Sequence, residues 1–179
     1  MEFSHSWNLI VRLKSAMARL PDRFDLWVRK ARQTADLSRQ RDLILGALVA
    51  LPELLFLNIG TQEKPLIAKM PIAPEECALV FTNGERLEEF IAEYPETLRD
   101  TAGGLPVIAS PTAAALKWCV ESRAGLVINP DAETTVMTPA GEVAVFVEEW
   151  LRRGGRRSSG FWIPNMTTEE EDFWQEHGM

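Results

Sequence analysis

With 179 residues, 46% of them hydrophobic and 25% charged, the chain has the length of one domain with a sizeable core plus appendages, and its composition excludes wholesale disorder and fibrous repeats. Its net charge of −7 is unevenly placed: residues 1–60 hold nine Lys and Arg against six Asp and Glu, residues 61–151 six against fifteen, and residues 152–179 four against five. An acidic main body repels phosphate backbones, so nucleic acid is not an expected partner.

From the N-terminus, Trp7, Ile10, Val11 and Met17 fall at helical spacing between Phe3 and Leu20, with Arg12, Lys14 and Arg19 among them, and Pro21 ends this amphipathic run. A second helix is predicted from about Asp22, with Phe24, Trp27, Val28 and Ala31 on one face. Ser38 is placed to cap a third, which directs Leu43, Ile44, Ala47, Leu48 and Leu51 inward. The apolar run from Leu43 to Ile59 approaches a membrane span in length, but Pro52 and Glu53 interrupt it, and the reading is a helix followed by a buried strand.

Leu54 to Ile59 and Leu66 to Met70 read as a hairpin, and Cys77 to Phe81 as a further strand. Thr82 and Glu85 have the spacing of a capping box for a helix from Gly84 to Tyr94. After a looser stretch, Leu105 to Ala109 is extended. Ser110-Pro111 and Thr138-Pro139 each offer a hydroxyl at the N-cap and a proline at the first helical position, for helices running to about Ser122 and Arg153. Between them lie the apolar Gly125 to Ile128, the turn Asn129-Pro130-Asp131, and a short strand near Thr135 to Met137. The fold class expected is α/β (α+β), a mixed five-stranded sheet packed with helices and preceded by a helical N-terminal extension. The corresponding division is an extension over 1–37, the α/β domain over 38–153, and a tail over 154–179 carrying aromatic groups and an acidic helix from Thr168 to Glu176.

Three segments in fixed order, Ala78-Leu79-Val80-Phe81-Thr82-Asn83-Gly84-Glu85-Arg86-Leu87, the strand and helix around Val107 to Trp118, and Gly125-Leu126-Val127-Ile128-Asn129-Pro130, resemble the SseB-like (enhanced serine sensitivity) N-terminal domain of bacteria. The resemblance runs from about Ser38 to Leu151. It departs at Asn83, where the family more often has serine. What it implies is a bacterial, cytoplasmic domain of no established activity, and so a regulatory or protein-interaction role without a named substrate.

Residues with catalytic chemistry are scarce. His5 and His177 stand near opposite ends, and no metal-ligand spacing, glycine-rich phosphate loop or cofactor motif is present, so no catalytic residue, metal or cofactor is assigned. Cys77 and Cys119 lie in apolar runs and read as buried free thiols. The chain opens without a secretory pattern, so a cytoplasmic location is expected.

Two sets of candidate site residues remain. Thr82, Asn83, Arg86, Ser110, Asn129 and Pro130 fall at strand ends or beside helix starts, where a small molecule or anion can bind; structural capping is the competing reading of each. Trp7, Trp27, Phe161, Trp162, Phe173 and Trp174 are large apolar groups outside the central region, able to dock on the domain, on a second copy or on a protein partner. The basic helices around Trp7 and Trp27 also allow peripheral contact with a membrane surface.

Overall fold

The computed structural model describes residues 23–61, 63–94, 107–152 and 166–177. The helix expected over Phe3 to Leu20, the cap at Asp22, and the residues Trp7, Phe161 and Trp162 lie outside them.

Helix α1 (Arg23–Ala31) buries Phe24, Trp27, Val28 and Ala31, the one-sided spacing expected of it. Helix α2 (Leu37–Ala50) is capped not by Ser38 but by Asp36, whose Oδ1 accepts the backbone N–H groups of Ser38 (2.9 Å) and Arg39 (3.2 Å). A carboxylate both bonds these orphan donors and suits the positive end of the helix dipole, so it takes the cap from the serine. The chain leaves helical geometry at Leu51, ahead of Pro52, and enters strand β1 (Glu53–Leu57), so the long apolar run divides where the proline predicts. Among the described residues no helix is long and apolar enough to cross a membrane.

The remaining elements are β2 (Lys69–Ile72), β3 (Glu75–Phe81), α3 (Gly84–Glu93), β4 (Val107–Pro111), α4 (Thr112–Glu121), β5 (Gly125–Ile128), β6 (Val136–Thr138), α5 (Ala140–Arg152) and α6 (Thr168–His177). The mixed sheet is five lanes wide, in the order β4-β1-β3-β5-β6, and β2 makes a sixth strand by continuing the lane of β1 along β3. Leu55 and Phe56 face Phe81 and Val80, and further along β3 Lys69 to Ile72 face Ala78 to Glu75. The expected hairpin between β1 and β2 is therefore only a root: Asn58 bridges Ile67, and beyond it each strand pairs with β3 instead. β3 and β5 run parallel, while β1 is antiparallel to both β3 and β4. The carboxyl ends of β3, β4 and β5 thus open on the same edge.

Alternation along the strands produces two apolar layers. Leu54, Phe56, Ala78, Val80, Leu126 and Ile128 face α1, α2, α4 and α5, whereas Cys77, Leu79, Phe81 and Val127 face Leu87, Phe90 and Ile91 of α3. Gly125 has no side chain because an added Cβ would meet Cys77 Sγ at 2.6 Å and the Thr138 carbonyl at 2.8 Å. The helices that follow Ser110-Pro111 and Thr138-Pro139 start one residue later than expected. Pro111 occupies the N-cap of α4 with no side-chain cap bond, and Thr112 binds back to the entry of β1 through its hydroxyl on the Leu51 carbonyl (2.6 Å). Glu75 of β3 supplies the acceptor for the first N–H of α5, at Ala140 (2.7 Å).

Candidate functional site

At the shared strand-end edge, the tips of β3 and β5 are tied together. Asn129 Oδ1 accepts the backbone N–H of Thr82 (3.0 Å) and its hydroxyl (3.2 Å), and Asn129 Nδ2 donates to the Thr82 hydroxyl oxygen (3.0 Å). Both residues are buried. Thr82 is therefore held at the strand tip, and the cap of α3 passes to Asn83, whose side chain accepts the Arg86 N–H at 2.9 Å. This corrects the capping box expected from Thr82 and Glu85. Pro130 is buried behind Asn129, and Asn129 and Asp131 take positive φ values of 48° and 62°, which Asn and Asp tolerate better than most residues.

Replacing Asn129 with alanine is expected to cost about 3 kcal/mol, because it removes the acceptor of a buried N–H and puts a Cβ-bearing residue without local bonding in the left-handed region. Urea denaturation measures this. A loss below about 1 kcal/mol would mean that the tie does not hold the strand tips.

Arg86 points across the edge to α1. Its guanidinium pairs with Asp25 and, at 3.0 Å, with Glu89, and the other oxygen of Asp25 accepts the Thr134 hydroxyl. The Asp25 side chain is 1% exposed and that of Arg86 27%. Burial opposes the charge on Arg86, but the bonds and charges of Asp25 and Glu89 more than offset it and raise its pKa. The place a bound anion could take beside Arg86 is thus filled by a carboxylate of the chain itself. Arg29 of α1 reaches Glu133 (3.0 Å), and Arg32, just past the helix, donates to the carbonyls of Glu133 (3.0 Å) and Thr135 (2.9 Å), so α1 and its end grip the turn after β5 as well. Ser110 is not part of this cluster: it lies on β4, with β1 between it and β3, and its hydroxyl donates to the Pro111 carbonyl at 3.4 Å.

The second set of candidates meets on the other side of α1. Trp27 is fully buried, with Phe173 edge-on at 4.9 Å between ring centroids and Trp174 at 5.6 Å, so three of the aromatic groups form one cluster within a single chain. Helix α6 is closed at its start by a capping box that the residues Thr167 and Glu170 spell out: Glu170 accepts the Thr167 N–H (2.8 Å) and the Thr167 hydroxyl accepts the Glu170 N–H (3.3 Å). Glu170 also takes Arg39 of α2 in a forked pair, with Nε to Oε1 at 3.0 Å and Nη2 to Oε2. Lys30 pairs with Glu169 and lies 5.7 Å from the Phe173 ring centre. His177 stacks on Phe173 at 4.5 Å.

Burial pushes the Glu170 carboxyl up, but the hydrogen bonds from Arg39 and Thr167 and the charge of Arg39 prevail and hold it below the ordinary value of 4.5. A carboxyl depressed in the folded state stabilises above its unfolded value, and that contribution is lost as pH falls from 4.5 through the lower folded value. Docking of α6 is therefore expected to weaken on acidification across this window, visible as loss of amide protection in α6. Glu170→Gln should remove that component of the profile; an unchanged profile in the variant would exclude Glu170 as its source.

The two thiols are free and buried. Burial, with Glu75 adding to it, raises the pKa of Cys77, and burial pushes that of Cys119 up to about 12, so neither favours the reactive thiolate. Comparison of the chain with protein-family models, with curated proteins and with solved structures gives no match.

Proposed function

We propose that the protein is a non-catalytic interaction or regulatory protein of SseB type that works through contact with another protein. The observation that carries this reading is the engagement of the strand-end groups with one another: Asp25 sits on Arg86 and Thr134, and Asn129 on Thr82. Groups tied in this way are fixed for structure, whereas catalysis calls for a base or nucleophile turned toward a substrate. The aromatic groups support the same reading from another side. Phe173 and Trp174 are half-buried on a short C-terminal helix, the kind of apolar side chain that anchors protein contacts. A sensor for a small anion at the strand ends would require Asp25 to leave Arg86. Arg29 and Lys30 of α1 and Arg32 just after it, basic side chains on which a membrane-surface role would draw, are turned to Glu133, Glu169 and backbone carbonyls of the same chain.

Affinity capture from a native extract tests this, with the wild-type chain beside a Phe173→Ala, Trp174→Ala variant and an Arg86→Met variant. The expected result is a defined set of proteins whose recovery changes with the aromatic substitutions. Indifference to those substitutions, or a small-molecule turnover by the wild type that Arg86→Met abolishes, would overturn the reading.

A further inference from the structure

We draw no further inference here: the strongest candidate, the surface patch made by Ile59 and Leu66, both more than half exposed where Asn58 braces the turn between β1 and β2 by accepting the N–H groups of Gly60 and Leu66, carries nothing because nothing in the structure shows what covers it.

Discussion

Arg86→Met is expected to lower the free energy of unfolding by about 3–5 kcal/mol, the range for removing one member of a buried ion pair. The reason lies in what it leaves behind. Asp25 has 1% of its side chain exposed, and without the guanidinium its charge is held there against the neutral hydroxyl of Thr134. Because Arg86 itself is 27% exposed, water already reaches part of the pair, and the loss should fall near the lower end. Arg86→Lys should cost less, about 1–2 kcal/mol, since an ammonium keeps a charge near Asp25 but cannot serve Asp25 and Glu89 together as a planar fork does.

The companion substitution makes the test specific. Asp25→Asn in the Arg86→Met background takes away the stranded charge and keeps a group that can bond Thr134, so at least half of the lost stability should return. Urea denaturation of the wild type, the two single variants and the double variant measures the coupling. A loss under about 1 kcal/mol for Arg86→Met, or no recovery in the double variant, would show that Asp25 is hydrated and that α1 is not fastened across the strand ends by this pair. A small-anion sensor at the same place predicts a different pattern, in which Arg86→Met abolishes a ligand response with little effect on stability.

The alternating strand pattern, the break at Pro52 and the order of elements are legible in the residues because they depend on spacing within a few positions. Phe56 and Val80 on one face and Leu79 and Phe81 on the other could be assigned from period two alone. The caps were less legible. Thr82 has a good local reason to cap α3, but Asn129, forty-seven residues on, takes its hydroxyl, and the cap moves to Asn83. Glu75 at the N-terminus of α5 is likewise supplied by the fold and not by the neighbouring sequence. The uneven charge was visible, but its meaning was not. The positive side chains Arg29, Lys30 and Arg39 reach Glu133, Glu169 and Glu170, so much of the contrast between the first sixty residues and the rest is complementarity within one molecule. Pairing of that kind depends on which surfaces the chain folds together, and residue spacing does not encode it.

Trp27 is where the core and the C-terminal helix depend on one side chain. Trp27→Ala removes a fully buried ring from among Phe24, Val28 and the inward face of α2, for which about 3–5 kcal/mol is expected. It also removes the surface against which Phe173 and Trp174 rest, so α6 should lose amide protection well below the concentration of urea that unfolds the sheet. Phe173→Ala takes a half-buried ring from the outer side of the same cluster and should cost about 1–2 kcal/mol, releasing α6 while leaving the sheet protected. Hydrogen exchange separates the two variants: both free α6, but only the first weakens α1 and α2. Were Trp27→Ala to leave α6 amides protected, Arg39 and Lys30 would have to hold the helix alone. The Lys30 pair meets an exposed carboxylate, worth about 1 kcal/mol at most, and the Arg39–Glu170 fork is part-buried and must first offset its own desolvation, so the aromatic contacts are the stronger claim, and the charges serve to set which helix fits and in what register.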